Sequence, residues 1–231
     1  MGGGLSEILY QASIWVLPVL FAITLHEAAH GYVAWRLGDD TAYSRGRVSF
    51  NPLRHVDAFG TVLLPAMLLL FGAPFLFGWA KPVPVAFNRL HNPRRDMVLV
   101  AAAGPGANLA LATASALLFH LVPLLPPTFG TWLAYNLVNS ILINLVLAVF
   151  NMLPLPPLDG GRVAVGLLPR ALALPLARLE RFGFLIIIGV IFLLPMIGER
   201  LGLDLHVFYW IVGKPIEWLW PIFDRLAGGV L

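Results

Sequence analysis

His26-Glu27-Ala28-Ala29-His30 places three side chains able to do metal chemistry in one short run. On an α-helix, residues four apart share a stripe, so His26 and His30 present two imidazoles side by side. Two neutral imidazoles at that spacing suit one zinc ion, and Glu27 between them can take a proton from water that the ion activates. Hydrolytic zinc sites use three protein ligands and leave a further position open. The pentad supplies two, so a third ligand must come from elsewhere in the chain. In a soluble helix the same pattern also arises by chance on a solvated face. Here the flanks are Val19-Leu20-Phe21-Ala22-Ile23 and Tyr32-Val33-Ala34-Trp35, which offer no such face. Ionisable groups inside an apolar run of this kind mark a cavity or a partner.

The elements that must carry these residues are membrane helices. The chain has 231 residues, 59% of them hydrophobic and 12% charged, which is too apolar for a soluble domain and fits a polytopic membrane protein. The net charge of +3 comes from arginine-rich loops and gives no argument for nucleic acid. With no cysteine there is neither a disulfide nor a thiolate metal site. The N-terminus lacks the basic segment of a cleaved signal peptide, so the first apolar run is expected to stay as a helix. No internal repeat is evident.

A span needs about 20 apolar residues, and the first helix, expected over Leu5–Leu37, has them between Leu5 and Leu25. The histidines then lie close to its far end. Only Glu7 precedes the span, whereas Arg36, Arg45, Arg47 and Arg54 follow it, so it runs from outside to inside and the pentad sits near the cytosolic face. Gly38–Asp57 is a charged connector with a short strand at Arg47–Phe50 and a turn at Asn51-Pro52. His55 there is expected to hydrogen-bond locally. Phe59–Trp79 is apolar but broken by Pro65, Gly72, Pro74 and Gly78. A full crossing there would put Arg89, Arg94 and Arg95 outside, so it is expected to dip in and return. In Lys81–Phe87 the prolines exclude helix and suit an edge strand, with Val83 and Val85 as substrate-binding or supporting residues. With Arg47–Phe50 it could form a small sheet whose edge pairs with an extended peptide; a plain connecting loop is the other reading.

The second clear span is Met97–Val122, running outward. Gly104 in it permits close helix contact, and Asn108 needs a hydrogen-bond partner, as a tie between helices or to orient a site group. Leu121–Gly130 is a short external loop, and Trp132–Met152 returns inward with Asn136, Asn139 and Asn144 expected to bond neighbouring helices. Next comes Asn151-Met-Leu-Pro-Leu-Pro-Pro-Leu-Asp159-Gly160-Gly161. Its prolines stop the helix, and its glycines suit a tight turn. Asp159 is therefore an anionic ligand on broken backbone at the depth of His26 and His30, and it is the expected third ligand. Asn151 could point its amide into the same cavity. Arg162–Arg181 is expected at the interface and Phe182–Met196 as a further span. Leu203–Phe223 reads equally as a poor span or an interfacial helix.

Together, His26-Glu-Ala-Ala-His30, Gly104-Pro-Gly-Ala-Asn108 and Asn151-x-x-Pro-x-x-x-x-Asp159-Gly160 resemble the site-2 protease family of intramembrane zinc metalloproteases, peptidase family M50. The small bacterial type is the nearest likeness, without room for a PDZ or CBS domain. The resemblance implies one zinc per chain on His26, His30 and Asp159, Glu27 as general base, and Asn151 at the substrate or oxyanion. It further implies an integral protein of the bacterial inner membrane whose partners are the bilayer and transmembrane substrates. The expected fold is an all-α polytopic membrane protein with four to six transmembrane helices, a re-entrant segment and a small β-hairpin or sheet at the cytosolic rim. It forms a single domain over 1–231, with a catalytic core at about 5–165 and C-terminal helices at about 166–231. Two rivals stand beside it. A zinc transporter predicts metal flux and more polar residues continuing toward the outer face, and the external halves of the spans show no such ladder. A non-catalytic binder of transmembrane segments has no need of Glu27.

Overall fold

A computed structural model describes residues 4–70 and 78–231. The chain is mostly helical: α1 (Leu5–Arg36), α2 (Thr41–Ser44), α3 (Leu64–Leu70), α4 (Pro93–Leu118), α5 (Pro127–Asn151), α6 (Asp159–Leu167), α7 (Arg170–Arg178), α8 (Glu180–Ile188), α9 (Leu194–Leu201) and α10 (Lys214–Leu226). Among the described residues four helical stretches are long and apolar enough to cross a membrane: Ser6–Arg36, Pro93–Leu124, Pro127–Asn151 and Glu180–Leu201. The protein is an integral membrane protein. The loop expected over Leu121–Gly130 is shorter than that, because a 3₁₀ turn carries α4 on to Leu124 and α5 begins at Pro127.

The helices α1, α4 and α5 pack against one another, and α6 packs on α4. Leu203–Phe223, which the sequence left open, places α10 on this bundle. Phe223 and Ala227 are buried with Ala112, Ala116, Ile141 and Leu145 of α4 and α5. The Phe208 ring lies 6.1 Å from that of Phe150, at the end of α5 next to Asp159. His120, at the far end of α4, bonds the Leu226 carbonyl at 2.9 Å. The stretch from Phe208 to Leu226 therefore runs the length of the α4–α5 pair. Its one apolar face meets the bundle, while Lys214 and Glu217 pair with each other on the exposed side at 2.9 Å.

No strand forms among the described residues, so the expected sheet between Arg47–Phe50 and Lys81–Phe87 is absent there. The reason lies in donors. Pro82 and Pro84 blank one edge, and on the other edge the Lys81 and Val83 N–H groups go to the His55 carbonyl and Glu27 and not to Arg47–Phe50. The two stretches are joined instead by a side chain: Arg47 Nη2 donates to the Lys81 carbonyl at 2.6 Å. Lys81 N–H donates to the His55 carbonyl at 2.9 Å, and the buried His55 ring bonds Ser49 O at 3.0 Å, the local role expected of it. Ala86 N–H donates to the fully buried Asp39 at 2.6 Å. Burial works to raise the Asp39 carboxyl, but hydrogen bonds from Thr41 and Ala86 and the charge of Arg89 outweigh it and hold it below the ordinary carboxylate range.

Of the apolar stretch Phe59–Trp79, residues 71–77 lie outside the described residues. Its two ends meet. Trp79 N–H donates to Gly60 O at 3.2 Å, and Thr61 Oγ1 donates to Trp79 O at 2.8 Å.

Candidate metal centre

The stripe of α4 formed by Val100, Gly104 and Asn108, at i, i+4 and i+8, faces the stripe of α1 that carries His26 and His30. Each member does something different for the imidazoles. The Val100 carbonyl lies 2.7 Å from His30 Nδ1, and Asn108 Oδ1 lies 2.6 Å from His26 Nδ1. Gly104 has no side chain where the rings must sit. A Cβ on it would stand 2.6 Å from His26 Cε1 and collide with His30 Nε2. Gly104→Ala is therefore expected to weaken zinc binding more than 10-fold, because α1 and α4 must separate to seat one methyl group; zinc competition titration with a chromophoric chelator reads it.

Asp159 arrives from the other direction. After α5 the chain folds back on itself through residues 152–158, and Asp159 is the first residue of α6. This corrects the expectation of a carboxylate on irregular backbone flanked by turn glycines. Gly160 and Gly161 are helical, and they serve close approach: a Cβ on either would collide with Met152 O or Pro156 N across the fold. The far end of α6 is fixed to α4 by Arg94, which donates to Gly166 O at 2.9 Å and to Leu168 O.

The result is three buried ligand atoms at one point. His26 Nε2 and His30 Nε2 are 3.1 Å apart, and Asp159 Oδ2 is 3.2 Å from the first and 3.3 Å from the second. The protons of the imidazoles follow from their other nitrogens. The Val100 carbonyl can only accept, so His30 Nδ1 carries the hydrogen; Asn108 Oδ1 likewise requires one on His26 Nδ1. In the neutral rings both Nε2 atoms then hold lone pairs, aimed at each other and at a carboxylate oxygen that has no hydrogen-bond donor. Three converging lone pairs repel unless a cation lies between them. Ligands about 2.0–2.1 Å from a tetrahedral zinc are separated by roughly 3.3–3.4 Å, close to the 3.1, 3.2 and 3.3 Å found. The residues present fit the ion, and among the described residues this is the one group of metal-ligating side chains of that kind.

Glu27 is half-buried, one position and so about 100° round the helix from His26. Its Oε2 accepts the Val83 N–H at 2.7 Å. Sequence reasoning anticipated Val83 as an edge but missed this bond, whose only sequence signal is the Pro-Val-Pro run that holds Val83 extended. Val83 also packs on Gly31 of α1, and Val85 packs beside the buried Ala34, Leu90 and Val100. The Val85 N–H has no partner among the described residues. Asn151 is the last residue of α5, and its amide donates to Leu147 O at 3.0 Å within its own helix; no bond joins it to the three ligands.

A cavity of about 580 Å³ lies between α1 and α5, lined by Leu20, Ile23, Thr24, Ile143 and Leu147 with His55 and Trp79. The stripes that wall it continue to Glu27 on α1 and to Asn151 on α5. A groove of about 690 Å³ between α1 and α4 has mostly apolar walls, among them Ala28, Ala29, Ala107, Ala110 and Leu111.

Residues 126–196, from just before α5 to the first turn of α9, match the model of peptidase family M50. The chain is 40% identical to YwhC of Bacillus subtilis over 78% of its own length and 80% of that protein. It is 30% identical to Rip2 of Mycobacterium tuberculosis, over 91% and 78%. It is 33% identical to MJ0611 of Methanocaldococcus jannaschii, over 65% and 68%. All three carry the words "zinc metalloprotease" in their names. No solved structure matches. The buried triad of two imidazoles and a carboxylate, on a chain this similar to those proteins, makes the protein a zinc-dependent metalloendopeptidase and a member of peptidase family M50.

Proposed function

We propose that this metalloendopeptidase cleaves transmembrane segments of other membrane proteins within the bilayer, close to the cytosolic face of a bacterial cell membrane. The observation that carries the reading is the position of the triad: His26, His30 and Asp159 are buried at one end of a bundle of membrane helices. The connectors at that end carry Arg45, Arg47, Arg54, Lys81, Arg89, Arg94 and Arg95, while residues 119–127 at the other end carry no lysine or arginine. That asymmetry supports a cytosolic site, and the meeting of Gly60 with Trp79 supports a segment that dips in and returns.

When bound, zinc supplies Lewis acidity, activating water and polarising the scissile carbonyl. The protein does the rest. Glu27, steadied by the Val83 N–H, takes the proton of the attacking water as its oxygen bonds to the carbonyl carbon. As the C–N bond breaks, Glu27 passes that proton to the leaving amine. A substrate helix must unwind first, since its carbonyls are already bonded. The cavity between α1 and α5 has the place and the apolar walls for the unwound stretch. Asn151, at the inner end of the α5 wall, is the residue to meet the substrate carbonyl.

Purified protein in proteoliposomes with a reconstituted transmembrane peptide tests the reading. Cleavage inside the apolar segment, stopped by chelator and restored by zinc, is expected. Zinc flux without cleavage would make the protein a transporter, and hydrolysis confined to water-soluble peptides would remove the membrane from its function.

A further inference from the structure

We infer that Asn144 of α5, a full helix away from the metal ligands, is a positioning residue that fixes which nitrogen of His26 is free to bind zinc. This rests on the reading of His26 as a ligand and adds a residue to it.

The inference follows from which groups can only accept. Asn144 Nδ2 lies 2.8 Å from the Ser140 carbonyl, and a carbonyl has no proton to give, so the nitrogen of Asn144 faces that way. Its Oδ1 is thereby turned toward α4, 2.7 Å from Asn108 Nδ2. Asn108 Nδ2 also donates to the Ala22 carbonyl at 3.2 Å. With both protons of its nitrogen engaged, Asn108 has only Oδ1 to offer His26 Nδ1, 2.6 Å away. The ring must carry its hydrogen on Nδ1 and present the lone pair on Nε2, beside His30 and Asp159. Each amide could be turned over in isolation. The two backbone carbonyls at the ends of the chain forbid it.

Burial makes the relay rigid. Asn108 is 0% and Asn144 1% exposed, so no water stands ready to replace a lost partner. The relay crosses three helices, from α5 through α4 to α1, and continues on the far side of Asn144 to Ser140 and Ser115, whose hydroxyls are 2.8 Å apart. Asn108 is level with His26 and Asn144 lies nearer the inner than the outer end of α5, with Ser140 and Ser115 beyond them. They are amides and hydroxyls, suited to hold an orientation and poor as ligands for zinc. Asn139 is the natural comparison. It also ties α5 to α1, donating to the Ile14 carbonyl at 2.9 Å, yet it has no connection to His26.

The test is zinc affinity by chelator competition, with the visible spectrum of the cobalt-substituted protein, on the full chain in detergent. Asn144→Leu keeps the bulk and removes the acceptor; it is expected to weaken zinc binding about 10-fold, toward the lower end of the 10- to 100-fold range for groups behind a ligand. Ala22 still holds Asn108 in part, so Asn108→Leu should lose more. Asn144→Asp, which keeps an acceptor oxygen whether ionised or protonated, should bind zinc within about 3-fold of wild type. Asn139→Leu, matched in bulk and in the loss of an interhelical bond, should leave affinity and the cobalt spectrum unchanged. Asn144→Ser, too short to reach Asn108, replaces Asn144→Leu if the latter does not fold. Wild-type affinity in the Leu or Ser variant, or equal losses at Asn139 and Asn144, would overturn the proposal. Failure of the wild-type protein to bind zinc would instead strike the metal reading on which it rests.

Discussion

Glu27→Gln is expected to abolish peptide cleavage and to leave zinc in place. The amide preserves the size of the side chain and an oxygen for the Val83 N–H, which lies 2.7 Å from the carboxylate. It removes the ability to take a proton. Loss of a general base slows hydrolysis by about 10²–10⁴-fold, and the same group also returns the proton to the amine, so the upper end of that range is expected. Metal content should stay at one zinc per chain, because Glu27 is not among the three converging ligands. Single-turnover cleavage of a reconstituted substrate, beside elemental analysis of the same preparation, reads both. Full activity in the variant would take Glu27 out of the chemistry.

Asp159→Ala has the other large effect, and it acts on the ion itself. Removing the carboxylate leaves two imidazoles, one short of the set that hydrolytic zinc sites use. Zinc affinity is expected to fall by more than the 10- to 100-fold seen for groups behind a ligand, and activity should fall to background. Folding should largely survive. Asp159 stands at the start of α6 with an oxygen that no donor satisfies, so without the ion its burial costs more than it returns. Metal-free Asp159→Ala should accordingly unfold at a temperature no lower than metal-free wild type. A large drop instead would make Asp159 a structural residue.

The parts of this site that were legible in the sequence are those fixed by local geometry or by chemical type. The spacing of His26 and His30 places them on one stripe of any helix, and the apolar flanks leave them no solvent to face. Asp159 was legible as an acidic group in a proline-broken stretch expected at the same membrane depth. The α1, α4 and α5 spans were legible because bilayer thickness fixes helix length, and their observed ends differ from the expected ones by a few residues.

What was not legible depends on contacts between distant residues. Asn108 was identified as a group in need of a partner, either to tie helices or to orient a site group; that the partner is His26 follows from the antiparallel register of α1 and α4. Asn144 looked like one more amide tying helices together, and Asn136 bonds only its own helix, to Trp132 O at 2.9 Å. The prolines of Lys81–Phe87 were read as marks of an edge strand, yet the N–H groups that remain are spent on His55, Glu27 and Asp39. The glycines after Asp159 were read as a turn because Gly-Gly favours one; their actual role is to let two backbone segments touch, which no local pattern records. The Leu203–Phe223 stretch, with too many charges for an ordinary span, is stabilised by an apolar face visible only once Phe223 meets Ile141 and Leu145.

The claim on which the rest depends is that one zinc ion joins the beginning of the chain to Asp159. X-ray absorption at the zinc edge, on protein purified without added metal, tests it most directly. The account predicts one zinc per chain, with two imidazoles and one carboxylate oxygen at about 2.0–2.2 Å. The imidazole scattering should disappear in His26→Ala/His30→Ala. Zinc bound with the same spectrum in that variant, or none bound by the wild-type protein, would contradict it.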